Sequence, residues 1–349
     1  MQEVKVAVVV LNYNGKIFLE KFLPSVIRYS SNAIIVLADN ASKDDSVDFT
    51  RKTFPQVHII QNNKNEGFAE GYNEALKQVK AEYYILLNSD VEVTEGWIAN
   101  VLELMDKRPE IAACQPKIMD YNNRTKFEYA GAAGGFIDKW GYPFCRGRIF
   151  NELEEDKGQY NSETEVFWAT GACMFVRSKA FWEVNGFDGD YFAHMEEIDL
   201  CWRLKNIGYK IYTEPKSIVY HVGGGTLEVS PRKTFLNFRN NLTTLTKNHK
   251  GGISLFFIVL WRLTLDGIAA IKFLSDGQPG HLWAVLKAHF AYYAWLPAIL
   301  SKRKALKKHP KFHYNESSVY AQSIVLEHFV RKKKKYSELD SASFLHEAQ

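Results

Sequence analysis

The chain has 349 residues, 46% of them hydrophobic and 24% charged, and a net charge of +4. That composition is ordinary for a globular protein of one large domain, or of one domain plus an appendage, and the charge is too mild to argue for nucleic acid. The four cysteines are far apart and form no CxxC pair, which argues against a zinc site and a disulfide scaffold and makes a reducing cytosol the simplest compartment.

Val4–Leu11 is a continuous β-branched run, as expected for a strand buried on both faces. Glu3 precedes it and no small-residue cleavage site follows, so it reads as a first strand and not as a signal peptide. Lys16–Tyr29 has helical spacing, and Ala33–Ala38 is a second buried strand. Ser42-Lys43-Asp44-Asp45 opens a helix, with a hydroxyl cap and acids in the first turn. Val57–Ile60 is a third strand, Glu70–Val79 a helix and Tyr83–Leu87 a fourth strand, and Thr94 caps a helix through Met105. This alternation implies a mostly parallel sheet with helices on both faces. Ligands of such sheets sit at the carboxyl ends of strands. Three strand ends, Asn12-Tyr13-Asn14, Asp39-Asn40 and Asn88-Ser89-Asp90, are polar and should share one edge.

From Ile111 short strands, glycine-rich turns and aromatics dominate. A strand over Val166–Val176, a helix over Ser178–Val184, a helix from Glu196 to before Gly208, and strands at Tyr209–Tyr212 and Ser217–Tyr220 follow, then a glycine loop after His221. Ile253–Leu300 is apolar and aromatic but carries Arg262, Asp266, Lys287 and His289. A spanning helix needs about 20 largely uncharged residues, so an interfacial amphipathic pair is the leading reading, ahead of packing helices. Lysines and arginines crowd Lys302–Lys308 and Arg331–Lys335, where they could attract an anionic membrane.

Five polar stretches carry chemistry. Asp39 can accept from a ribose or a pyrimidine N3–H, or can cap a helix. Asn62–Asn73, NNKNEGFAEGYN, pairs two glycines with a helix start, which suits phosphate. Asp90, with Asn88 before it, offers oxygen to a hard divalent cation, or simply makes a turn. In HMEEIDLCWR, Arg203 is four residues after Asp199 and can pair with it, which leaves one of Glu196 and Glu197 to act as a general base. His221 can complete a metal shell or make a strand-end hydrogen bond.

In the order NYNG, DNASKDDS, NEGFAEGYN, LLNSD, WATGACMFVRSKAFWEVNGFDGDYFAHMEEIDLCWR and HVGGGT, these stretches resemble family 2 glycosyltransferases with the GT-A fold, over about residues 4–226. The nearest likeness is the rhamnosyltransferase-like branch of bacterial surface-polysaccharide synthesis. The resemblance implies a GT-A domain over residues 1–230 and a helical, basic and aromatic region over 231–349. It implies a dTDP- or UDP-sugar donor, a lipid-linked or polysaccharide acceptor, Mg²⁺ or Mn²⁺, no nucleic acid, and a place on the inner face of the cell membrane. It assigns Asn14, Asp39, Gly67, Phe68, Asn73, Asn88, Ser89, Gly171 and Ala172 to the nucleotide sugar, and Asp90 and His221 to the metal. Glu197 aligns with the catalytic base and Glu196 is the reserve. Asn88 stands where the family's metal motif has an aspartate. The implied reaction is a single inverting displacement with a carboxylate base. The rival readings are a catalytically degenerate binding protein and a sugar nucleotidyltransferase, whose basic glycine loop Asn12–Lys16 matches poorly.

Overall fold

The computed structural model describes residues 3–223 and 230–346. The first half runs β1 (Val4–Asn12), α1 (Lys16–Tyr29), β2 (Ile34–Asp39), α2 (Ser46–Thr53), β3 (His58–Gln61), α3 (Ala69–Leu76), β4 (Ala81–Asn88), β5 (Val91–Val93), α4 (Ala99–Lys107) and β6 (Ile111–Asp120). Along β1, Ala7 and Val9 enter one hydrophobic core, while Val6, Val8 and Val10 enter another on the opposite face. Burial on both faces is why the run is continuously apolar instead of alternating.

Four short strands come next, β7 (Gly135–Asp138), β8 (Pro143–Cys145), β9 (Arg148–Ile149) and β10 (Glu152–Leu153). The chain returns through β11 (Thr164–Val166), β12 (Cys173–Arg177), α5 (Ser178–Glu183), α6 (Glu196–Lys205) and β13 (Lys210–His221). The main sheet has nine strands in the order β11-β13-β6-β12-β4-β1-β2-β3, with β5 on β13. The expected parallel run holds across β3-β2-β1-β4. Beyond it β12 lies antiparallel to both β4 and β6, so the full sheet is mixed.

Several local expectations change. The run expected as one strand over Val166–Val176 splits, because Trp168 turns onto Gly135 and bonds the Phe136 carbonyl through its indole N–H. Conversely, the two short strands expected around residues 209–220 are one strand with a bulge between Glu214 and Ile218. Ser42 does not cap α2, which starts at Ser46; Asp44 accepts from the Ser46 N–H and the Ser42 hydroxyl turns to Asp39. Thr94 likewise sends its hydroxyl across to the Ile218 carbonyl.

The C-terminal region holds α7 (Pro231–Asn248), α8 (Gly252–Ser275), α9 (Pro279–Leu306), β14 (Val319–Tyr320) and α10 (Ile324–Phe329). β14 pairs with β7 and completes a second, five-stranded sheet. Leu245, Tyr320 and Leu339 share a core with Phe136 and Met174. The hydrophobic core therefore runs straight across the expected boundary at residue 230. Among the described residues α8 is long and apolar enough to cross a membrane, by length and composition. Its Arg262 and Asp266 point inward, the arginine onto the Tyr142 ring and the Trp140 carbonyl, the aspartate 3.1 Å from His289. Its outer side exposes Phe256, Phe257, Leu260 and Ile271, and α9 adds Trp283 and Phe290.

Candidate active site

Strand register brings the polar ends together. Asn12 pairs with Asp39 across β1 and β2, Leu11 with Asn88 across β1 and β4, and the Asn88 N–H bonds the Ala172 carbonyl just before β12. All three polar strand ends lie on one edge, as the alternating pattern requires.

On the β1–β2 side these side chains mostly satisfy one another. Asp39 is fully buried; Oδ1 accepts from the Asn12 amide at 2.9 Å and the Ser42 hydroxyl at 2.5 Å, and Oδ2 accepts from the Ser42 N–H. Asn12 also donates to Ser46. Asn14, exposed and at φ 52°, accepts from the Lys43 N–H. Asn40 donates to the Gly67 carbonyl and accepts from Asn62, whose amide also reaches the Gly71 carbonyl.

The GFAEG stretch departs from its phosphate-loop expectation. The Phe192 carbonyl accepts from the Phe68 and Ala69 N–H groups and so caps α3. A Cβ on Gly67 would lie 2.4 Å from that carbonyl oxygen, and one on Gly71 would lie 2.9 Å from the Asn40 amide. Both glycines thus admit protein neighbours. Asn73 spends its amide on both backbone groups of Phe187. Phe68 packs against Tyr72, Phe187 and Gly171.

The β4–β13 side is different. β5 pairs antiparallel with the end of β13, His221 opposite Val91, which sets the imidazole beside Asp90. His221 Nε2 lies 3.2 Å from Asp90 Oδ1 and 3.5 Å from the Asn88 amide nitrogen, beside the buried Ser89–Asp90 turn. On its other side Nδ1 lies 3.1 Å from Glu128 Oε2. Burial opposes charge on this ring, but the Asp90 and Glu128 carboxylates outweigh it and raise the pKa to about 10. A divalent cation would compete with that proton for Nε2. Among the described residues no three His, Cys, Asp or Glu side chains form a closed metal cage. Asp90 and His221 offer two donors, an oxygen and a ring nitrogen, so a cation held there would have to draw its remaining oxygens from a ligand and water. Glu128 is a functional candidate that sequence reading missed, since no local pattern ties it to His221. Of the HVGGGT stretch, Gly224, Gly225 and Thr226 lie outside the described residues.

The glutamate pair starts α6, after a turn in which Phe192, His194 and Met195 all adopt positive φ. Such conformations cost roughly 1–3 kcal/mol each and persist only where the surroundings impose them. Here Asn240 on α7 imposes them, donating to the Tyr191, Ala193 and His194 carbonyls. Asp199 pairs with Arg203 at 2.8 Å, as expected from their spacing, and also with Lys247 and Asn248. Glu196 Oε2, Glu197 Oε2 and His194 Nε2 are buried with no hydrogen-bond partner among the described residues. Burial, and then the charge of Glu197, pushes Glu196 well above the usual carboxylate range. Burial raises Glu197 to about 7. Burial also lowers His194, to about 4, with Lys233 adding to the effect. One carboxyl poised near neutrality beside one held neutral is the arrangement a general base needs.

The sequence matches the family described as glycosyl transferase family 2 over residues 7–184, just over half the chain. It is 26% identical over 285 residues to an N-acetylglucosaminyl-diphospho-decaprenol L-rhamnosyltransferase of Mycobacterium tuberculosis (strain CDC 1551 / Oshkosh), covering 76% of this chain and 90% of the relative. The fold is that of S. aureus TarS 1–349, solved in complex with UDP-GlcNAc, at TM-score 0.53 and 15% identity, covering 92% of this chain and 99% of the other. GalNAc-T7, solved with UDP, GalNAc and Mn²⁺, superposes at TM-score 0.53 and 19% identity over 70% of this chain and 48% of its own.

Proposed function

The chain belongs to glycosyl transferase family 2 and is a glycosyltransferase, and on that premise we propose that it works by inverting, metal-dependent transfer. The donor is a dTDP- or UDP-linked sugar, and the acceptor is a hydroxyl of a lipid-linked or polysaccharide glycan of the cell surface. The observation that carries this reading is the convergence of Asp90, Asn88 and His221 on the sheet edge that also carries Asn12, Asp39 and Ala172. The L-rhamnosyltransferase relative supports the lipid-diphosphate acceptor, and the Mn²⁺ and UDP of the structural neighbours support the metal and the nucleotide.

Asp90 and His221 hold the cation, which when bound supplies positive charge against the leaving diphosphate. Asn14, Asn88, Ser89, Gly171 and Ala172 line the donor. Asp39, Gly67, Phe68 and Asn73, all held by protein partners, shape its floor. Glu197 accepts the proton of the acceptor hydroxyl as that oxygen attacks the anomeric carbon, and Glu196 stays protonated beside it. One displacement inverts the configuration, and no second carboxylate is needed to hold a covalent intermediate.

We infer a peripheral place on the inner face of the membrane, supported by the apolar outer side of α8 and α9. Lys302 and Arg303 turn inward, to Asp188 and to the Thr246 carbonyl, so within this cluster headgroup attraction falls to the exposed Lys304, Lys307 and Lys308, with Lys332 and Lys335 exposed in the second cluster. Transfer assays with Mn²⁺, candidate nucleotide sugars and lipid extract test the enzymatic reading, with melting shifts on the same donors as the binding control. A protein that is stabilised by a donor yet turns over none with any acceptor is the degenerate transferase, and the catalytic assignment then fails. Flotation with anionic vesicles tests the membrane reading, which no salt-sensitive binding would remove.

A further inference from the structure

We propose that Glu128 is a positioning residue for the cation site, holding the His221 ring so that Nε2 faces Asp90. The inference rests on the reading of Asp90 and His221 as metal ligands. The ring stands between two carboxylates, with Asp90 Oδ1 3.2 Å from Nε2 and Glu128 Oε2 3.1 Å from Nδ1. A neutral imidazole has one N–H. Nδ1 lies within 3.1 Å of Glu128 Oε2 but out of line for a hydrogen bond, so the two meet as an ion-pair contact; with the hydrogen on Nδ1, on the Glu128 side, the Nε2 lone pair is left for the cation. Because the ring separates it from Asp90, Glu128 acts through His221 and not as a further ligand.

The fold presets Glu128 for this task. After β6 the chain doubles back, Met119 bridging to Phe127, and the Glu128 N–H bonds the Ile118 carbonyl. The Tyr121 N–H bonds the carbonyl of His221 itself. Glu128 Oε2 also accepts from the Ala130 N–H, and its side chain is only 6% exposed. Two residues past His221, a Cβ on Gly223 would come within 2.5 Å of Glu128 Oε1, so glycine there lets the carboxylate sit against the backbone. The Ala130 N–H and the close Gly223 backbone hold the carboxylate beside the ring.

The experiment is a Mn²⁺ titration of the full chain, by electron paramagnetic resonance of the free ion, with and without UDP. Glu128→Ala is expected to weaken Mn²⁺ binding by about 10–100-fold, the usual cost of losing such a partner. Glu128→Gln keeps an acceptor for Nδ1–H and is expected to stay within about five-fold of wild type. If the alanine variant does not fold, Glu128→Asp, with its shorter reach, takes its place and is expected to fall below the glutamine variant. Affinity of Glu128→Ala within about two-fold of wild type overturns the proposal, as does an equal loss in the alanine and glutamine variants. An unchanged affinity in His221→Ala also overturns it, but identifies the cause as the metal assignment itself.

Discussion

The sheet edge carries two polar regions made of similar residues that behave in opposite ways. Around Asp39 the side chains saturate each other: Asn12, Ser42, Ser46, Asn40 and Asn62 exchange hydrogen bonds, and Asn12 Oδ1 is left over. Around α6 and Asp90 the groups are buried but under-partnered, with Glu196, Glu197 and His194 each keeping an unmet atom. Buried polar atoms are normally satisfied, and an unmet one costs about 1–3 kcal/mol. The first region is therefore a scaffold that would fold the same way without a ligand. The second leaves buried capacity unmet, which on the proposed reading a substrate would take up.

Glu197→Gln should break that contrast most severely. The expected loss is about 10²–10⁴-fold in kcat, with donor-induced stabilisation retained, read by transfer assay and thermal shift. In the wild type, kcat should climb about tenfold per pH unit and level off above about 7, where burial places the Glu197 pKa, because the base must be ionised; Glu197→Gln should lose that limb.

Asn240→Leu comes next. It removes the amide donor shared by the Tyr191, Ala193 and His194 carbonyls of the turn ahead of the glutamates, of which Tyr191 keeps Arg239. A fall of about 10–100-fold in kcat is expected with Mn²⁺ affinity unchanged, since small displacements of a catalytic group are costly. An intact kcat would show that the turn holds its shape without α7.

Asn40→Ala probes the saturated region. It should cost about 1–3 kcal/mol of stability in a denaturant titration while leaving kcat within about three-fold, because its partners are protein groups. A selective loss of donor affinity at unchanged stability would instead make that region part of the substrate site.

Lys302→Ala should have the smallest effect. Burial works against the Asp188 charge, but Lys247 and Lys302 outweigh it and hold the carboxyl below its usual range. Such a depressed carboxylate contributes stability above its unfolded pKa and loses it as pH falls through the folded one. Lys302 is 40% exposed, so the expected cost is under about 1 kcal/mol near neutrality, and it should vanish in acid as Asp188 protonates. A difference that persists there would assign Lys302 a packing role.

Much of this was legible in the chain itself. Continuous apolar runs marked strands buried on two faces, and their polar ends marked the one sheet edge they share. Four-residue spacing paired Asp199 with Arg203 without any tertiary knowledge. These features depend on period and short range, which a linear sequence carries. What it could not carry was occupancy. Whether Asn73 meets a nucleotide or the Phe187 backbone, whether Gly67 admits a phosphate or the Phe192 carbonyl, and which way Arg262 and Lys302 turn all depend on segments far away in sequence. Glu128 and Asn240 act only through a strand register and a helix packing that bring distant residues within about 3 Å, the hydrogen-bond range. Residue type and spacing determined which groups could do chemistry; tertiary structure decided which of them already had partners, because a hydrogen bond spent on the protein is no longer available to a substrate.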